Sequence, residues 1–329
     1  MERGTPRSFR LHTAGTVGNR TGCNRLDRSD TLHGFWANGK DPRPSRVPVT
    51  CCVMAQPDAP ITPRRLVVLA DSLAFHGPQG PLLPRWPDFY PALLRDRLEA
   101  ATSHPWTVTV VTRAGWGMRD VWLTLQKDLH VVQDVLMGAD AVVLGVGSFD
   151  WVPVGVPTPL RALLPFVRPP VLRRRLRVWL DNAHPWLIRL TRGALIRTPA
   201  SVFAHSWRKS IEAFRLFAPD AALCAVLPSV HRADYYAHLH PHHARGMTMT
   251  RELGQTHDVA LVDLAAITTR HLPDLNPDGI HWGWAQHVEV ADAMAQLLLP
   301  QLQRQPPAEA GERLGRAAQD LEVQPEQFG

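Results

Sequence analysis

The sequence lacks several features that would direct its interpretation elsewhere. It has only 4 cysteines in 329 residues, Cys23, Cys51, Cys52 and Cys224, and their spacing fits neither a zinc-ligand set nor a disulfide framework. No apolar run approaches the ~18–20 residues of a membrane helix, and no continuous apolar core of a signal peptide stands near the start. The expected location is therefore the cytoplasm, with no integral membrane segment. Disorder of the whole chain is excluded by composition, because a hydrophobic fraction of 45% with 20% charged residues is enough to bury a sizeable core.

Charge of one sign is also scarce once it is located. The formal net charge is +6, but residues 1–53 hold 9 Lys+Arg against 4 Asp+Glu, which leaves 27 against 26 for the rest. A nucleic-acid partner, which needs a basic surface on the folded domain, is not expected. Residues 1–60 show no helical or strand periodicity and are expected to be a disordered extension, with Met54 a possible true start. The polar stretch 303–329 is expected to be a second disordered tail.

What remains, residues 64–302, alternates short apolar runs with longer helical patterns, the signature of βαβ units. Strands are expected at Leu66–Ala70, Thr107–Thr112, Ala141–Leu144, Ala222–Leu227 and Ala260–Val262. Helices are expected near Pro87–Ala101, Asp120–Leu136, His205–Phe217, Met247–Gln255 and Trp284–Leu299. The fold class is thus α/β, a three-layer α/β/α sandwich on a five-stranded parallel sheet. Residues 151–204 are too many for an ordinary connection and are expected to form an insertion or lid. It is rich in proline and arginine, and Arg161–Arg215 holds 12 Lys+Arg against 2 Asp+Glu.

Chemistry is suggested at two distant places. The run LVVLA leads straight into Asp71-Ser72-Leu73, and ligands of open parallel sheets bind beyond the carboxyl ends of the strands. A bare Asp-Ser there fits a helix cap equally well. The second place is Asn276-Pro277-Asp278-Gly279-Ile280-His281, which puts a carboxylate and an imidazole three residues apart on one turn. A serine hydroxyl attacks only when an imidazole takes its proton, and that imidazole needs a carboxylate to hold its tautomer. Ser72, His281 and Asp278 together supply a nucleophile, a base and an orienting group.

On these two motifs the chain resembles the SGNH (GDSL-like) hydrolase superfamily, over roughly residues 64–300 and with Ala70 in place of the first-block glycine. The resemblance implies a flavodoxin-like fold and a catalytic triad of Ser72, Asp278 and His281, with Ser72 also the first oxyanion donor. The second block matches Arg113-Ala114-Gly115-Trp116-Gly117, where register favours Gly117 as a backbone donor and Gly115 is the alternative. The third block reads Gly147-Ser148-Phe149-Asp150, with phenylalanine where the family has an asparagine donor. One lost oxyanion donor costs about 2.7–4 kcal/mol of transition-state stabilisation, so either another group substitutes, Ser148 being nearest, or the chemistry differs from simple hydrolysis.

Further phrases narrow the resemblance: Arg113-Ala114-Gly115-Trp116, Arg119 to Trp122, Arg168 to Arg174, Leu227 to His231 and Asn276 to Trp282 are similar to the actinobacterial diglucosylglycerate octanoyltransferases. That implies an acyltransferase moving an octanoyl group, from acyl-CoA as co-substrate and with no resident cofactor, to a glucosylglycerate. Substrate contacts are then expected from Asp71, Arg113, Trp116, Arg119, Phe149, Asp150, Arg168, Arg173, Arg174 and Trp282. The arginines suit phosphate and carboxylate groups, although an exposed cationic face is the plainer reading of each. His238, His240, His242 and His243 lack a carboxylate or thiolate partner at helical spacing, so no metal site is expected. An esterase giving the same acyl group to water shares the triad, and a non-catalytic carbohydrate- or acyl-binding protein is the remote alternative.

Overall fold

The computed structural model describes residues 62–304. The expected extension over residues 1–60 and most of the expected tail lie outside the described residues. Strands β1 (Arg64–Ala70), β2 (Trp106–Thr112), β3 (Ala141–Gly145), β4 (Ala222–Val226) and β5 (Ala260–Val262) form one sheet in the order β2-β1-β3-β4-β5. All neighbouring pairs are parallel. The helices are α1 (Tyr90–Thr102), α2 (Met118–Lys127), α3 (Pro170–Leu190), α4 (Ala200–Phe217), α5 (His243–Thr256), α6 (Leu264–Arg270) and α7 (Trp284–Arg304).

The central strand shows why the sheet is covered on both faces. In β1 alternate side chains point to opposite sides, and all of Leu66–Ala70 are apolar. Leu66, Val68 and Ala70 join one core layer with Leu94 and Leu98 of α1 and Val290 and Met294 of α7. Val67 and Leu69 join the other, with Val121 and Leu125 of α2 and Trp207 and Ile211 of α4. Each such fully buried aliphatic side chain contributes about 1.5–3 kcal/mol relative to exposure. The expected sandwich and strand positions are therefore present, and the carboxyl ends of β1 and β3 meet at the point where strand order reverses.

Three expectations need correcting. The helix expected over 120–136 stops at Lys127 and resumes as a wide π turn over Val131–Leu136. The Arg65 guanidinium takes up carbonyls there, donating to Val135 O at 2.9 Å and Met137 O at 2.8 Å. The insertion ends before residue 200 rather than at 204, because α4 begins at Ala200. Its base is closed by an antiparallel contact, in which Val154 N–H donates to Leu195 O at 2.9 Å and Arg197 N–H to Val152 O at 3.2 Å. Helix α6 was not expected at all, and α7 continues through Arg304, so the first two residues of the expected tail are helical. Among the described residues no helix is long and apolar enough to cross a membrane.

Candidate active site

Ser72 opens a short 3-10 turn directly after β1, and Asp71 caps it, Oδ1 accepting the Leu73 N–H at 2.9 Å. The capping role and the presentation of the serine thus belong to adjacent residues. The Asp278–His281 turn comes from the other end of the chain. His281 Nε2 lies 2.9 Å from Ser72 Oγ, and His281 Nδ1 lies 2.6 Å from Asp278 Oδ2. The second carboxylate oxygen accepts the N–H groups of Ile280 and His281 at 2.8 and 3.0 Å, which fixes Asp278 on its own turn. Gly279 makes this turn possible: its φ is +68°, and a Cβ there would stand 2.4 Å from the Arg232 carbonyl carbon.

The turn is held from outside as well. Asn276 Nδ2 donates to Gly77 O at 2.9 Å, in the two-residue hairpin strand His76–Gly77 that follows the serine. From that hairpin the His76 ring stacks on His281, with centroids 3.7 Å apart. Burial pulls the His281 imidazole below its ordinary value against the pull of Asp278, and His76 works in the same direction. Partial burial pushes Asp278 up, but hydrogen bonds from His281 and from the Ile280 and His281 N–H groups outweigh it and leave the carboxyl below its usual range. A neutral imidazole beside an ionised carboxylate is the resting state a proton-accepting base requires.

The relay opens into a cavity of about 500 Å³. Besides Asp71, Ser72, Gly115, Ser148, Asp278 and His281, its wall is largely apolar and aromatic, with Phe149, Val152, Val230, Tyr235, Tyr236 and Ile280. Gly115 has φ +70°, and a Cβ there would lie 3.2 Å from the Phe149 ring. Gly117, the expected donor, is corrected by the structure: its N–H donates to Asp120 Oδ2 at 2.9 Å, closing the N-terminal box of α2, and it does not line the cavity. Ser148 Oγ lines the cavity while accepting the Ser229 N–H at 2.9 Å.

Of the residues expected at the substrate, Asp71 and Phe149 line this cavity. Trp116 and Trp282 are core side chains, and Asp150 is wholly buried, with Oδ2 accepting the Met118 N–H at 2.8 Å. Arg113 and Arg119 are exposed, Arg119 beside a separate shallow groove with Trp122 and His205. Arg168, Arg173 and Arg174 lie on the insertion, and no arginine lines the cavity among the described residues. The four histidines do not converge on one point. Contrary to expectation, His238 does have a carboxylate partner one helical turn away, Asp234 at 2.7 Å; His242 pairs with Gly193 O at 2.9 Å and His243 with Pro228 O at 3.0 Å, while His240 Nε2 takes the His231 N–H at 3.1 Å. Among the described residues one group of three possible ligand atoms lies within 4.8 Å, His76, Asp278 and His281, and both His281 nitrogens are engaged in the relay.

The residue that sequence reasoning missed is Arg197. It donates to Gly115 O at 2.7 Å, stacks 3.7 Å over the Phe149 ring and stands 3.9 Å from Asp120. Its positive charge also acts on two buried acids, Asp71 and Asp150. Burial pushes Asp71 up to about 7, with Asp150 adding and Leu73 N–H and Arg197 opposing. Burial likewise pushes Asp150 up to about 6. Its only sequence signal was membership in a run of 12 cations, which gave no reason to single it out.

Fold and site together present the serine, imidazole and carboxylate that an acyl-transferring or ester-cleaving enzyme uses. The chain is 36% identical over 237 residues to the diglucosylglycerate octanoyltransferase of Mycolicibacterium hassiacum, covering 71% of this chain and 94% of that protein. It is 35% identical over 236 residues to the diglucosylglycerate octanoyltransferase of Mycobacterium tuberculosis, covering 71% and 91%. The chain belongs to the diglucosylglycerate octanoyltransferase family. Among solved structures it aligns with a lipase/acylhydrolase from Enterococcus faecalis at 14% identity and TM-score 0.48, covering 75% of this chain and 99% of that one. TesA aligns at 14% identity and TM-score 0.45, covering 72% and 99%. No protein-family model matches the chain.

Proposed function

We propose that this protein transfers an octanoyl-type acyl group from acyl-CoA to a glucosylglycerate-type sugar through an acyl-Ser72 intermediate. The observation that carries the reading is the Ser72–His281–Asp278 relay at the wall of a largely apolar cavity, with distances of 2.9 and 2.6 Å. In the first half, Ser72 Oγ forms a bond to the thioester carbonyl carbon and gives its proton to His281 Nε2. The C–S bond then breaks, and the thiol leaves with that proton. In the second half a sugar hydroxyl gives its proton to His281 and attacks the acyl-serine, and Ser72 Oγ departs and takes the proton back. Asp278 holds the Nδ1–H throughout and stabilises the imidazolium without itself becoming protonated.

The tetrahedral oxygen needs hydrogen-bond donors, and Phe149 supplies none. The reading assigns them to the Ser72 and Gly115 N–H groups, with the Ser148 hydroxyl as a side-chain donor from the same wall. Arg197 supports this assignment indirectly, since it fixes the carbonyl of Gly115 and the ring of Phe149. The cavity of about 500 Å³, with its largely apolar wall, has room for a medium-length acyl chain.

The test is mass spectrometry of the protein and its products after incubation with octanoyl-CoA, with and without glucosylglycerates. An added octanoyl mass on Ser72 that is discharged onto diglucosylglycerate supports transfer. Release of octanoate at the same rate whichever sugar is present makes the protein an esterase.

A further inference from the structure

Exposed large apolar side chains are concentrated in one stretch of the surface. Phe166 is 77% exposed, Trp179 59%, Trp186 60% and Leu190 65%, and Leu163 and Leu172 are also exposed. They belong to the insertion, in the turn Leu164–Phe166 with its flanks and in α3. At 100° per residue, Val171, Leu172, Val178, Trp179, Trp186 and Leu190 fall within an arc of about 120° of the helix. His184 and Ile188, on the other side, are buried. The outward face of α3 is therefore its apolar one, the reverse of an ordinary surface helix.

The same stretch is cationic. Between residues 160 and 192 there are 8 arginines and one acid, Asp181, whose carboxylate is held by Arg161 at 2.8 Å. The apolar arc also contains Arg175 and Arg189, and Arg174 flanks it. We infer that this face docks on a lipid surface bearing anionic headgroups. Tryptophan, phenylalanine and leucine beside arginine on one helix face is the composition of an interfacial helix, with rings at headgroup depth and guanidinium groups on phosphates. A second copy of the chain, packed symmetrically, would bring the same arginines against each other and leave their charge unanswered. The apolar strip runs the length of a helix of about 32 Å, which suits a flat surface.

The placement has a consequence for the site. The inner side of α3 meets the cavity wall: His184 stacks on Tyr235 with centroids 4.1 Å apart, and His184 Nδ1 lies 2.9 Å from Tyr235 O. Tyr235 lines the cavity. Docking of the outer face therefore sets the cavity beside the lipid boundary.

The experiment is sedimentation of the full chain with vesicles of phosphatidylcholine alone and of phosphatidylcholine with phosphatidylglycerol at roughly 7:3. Residues 1–53 carry positive charge of their own, so the comparison that decides is between wild type and two variants. One is Trp179→Ser with Trp186→Ser, and the other is Arg174→Gln with Arg175→Gln and Arg189→Gln. Expected are preferential binding of wild type to the anionic vesicles and a fall of about tenfold or more in partitioning for each variant. Both variants should keep the wild-type circular dichroism and hydrolysis of p-nitrophenyl acetate. Either folded variant partitioning like wild type overturns the inference, as does absence of wild-type binding. Burial of Trp179 and Trp186 in a dimer or against an acidic protein, with vesicles bound no better than by the Trp variant, overturns it as well.

Discussion

The carboxyl edge of the sheet and the insertion that projects from it handle polar groups in opposite ways. At the sheet edge the decisive side chains are tied down: Asp278 accepts three hydrogen bonds, His281 spends both ring nitrogens, and the Gly115 carbonyl is held by Arg197, which reaches in from the base of the insertion. On the outer face of the insertion, tryptophans and arginines stand in solvent. Preorganised geometry belongs to the first region, and a broad surface for recognition belongs to the second. The comparison teaches that abundance of charge is a poor guide to chemistry here, because most of the insertion's arginines stand away from the site and, among the described residues, none lines the cavity.

The comparison breaks first, and by the largest effect, at the relay. Ser72→Ala is expected to lower turnover of an octanoyl ester by about 10⁴-fold or more, and Asp278→Asn by about 10⁴-fold, with unchanged circular dichroism. Turnover near wild type in either folded variant would remove the relay from the account. Next comes Arg197→Ala, which releases the Gly115 loop and Phe149. A loss of about 10–100-fold in kcat/KM is expected, because displacements of an ångström at a reacting centre have that cost. Arg197→Lys should recover only part, since an ammonium cannot reproduce a planar guanidinium stacked on a ring.

The pH dependence follows from the same burial. With His281 held below the ordinary histidine value, activity should be level through neutral pH and fall about tenfold per unit only on the acid side of that lowered value. Asp71 works through stability. Its folded value of about 7 stands above the ordinary 3.8, so the folded state keeps a proton that the unfolded chain has lost. Stability should therefore decline as pH rises from about 4 to 7, by a few kcal/mol at most, and Asp71→Asn should flatten that slope in chemical unfolding measured at several pH values. The smallest effect is expected from Arg168, Arg173 and Arg174 changed together to Gln. Hydrolysis of a small neutral ester should stay within about twofold of wild type, as expected of charges remote from the cavity.

How much of this was legible in the sequence depended on how local the cause was. The five strands and the relay come from short signals: an apolar run ending in Asp71-Ser72, and an Asp-Gly turn that its own N–H groups stabilise. The glycine loop after β2 was half legible. Sequence register favoured Gly117, but its N–H is taken by Asp120 reaching back to cap α2, which spacing alone does not reveal. The arm was legible as an insertion and illegible in its aim. Arg197 reaches Gly115 only because Val152–Val154 and Leu195–Arg197 close the base of the arm, a contact over some forty residues that no periodicity encodes.

The long reach of the relay also bears on when the protein becomes reactive. Ser72 and His281 are 209 positions apart, and the brace from Asn276 to Gly77 spans 199. At synthesis rates of ~5–20 residues per second, roughly 10–40 s separate the making of the serine from the making of its base. Throughout that interval the hydroxyl is an ordinary alcohol with no acceptor for its proton. On the proposed mechanism, a nascent or truncated chain lacking the Asp278–His281 turn would therefore be silent toward activated acyl groups, and reactivity would arrive only after the last turn before α7 has been made and has found the hairpin.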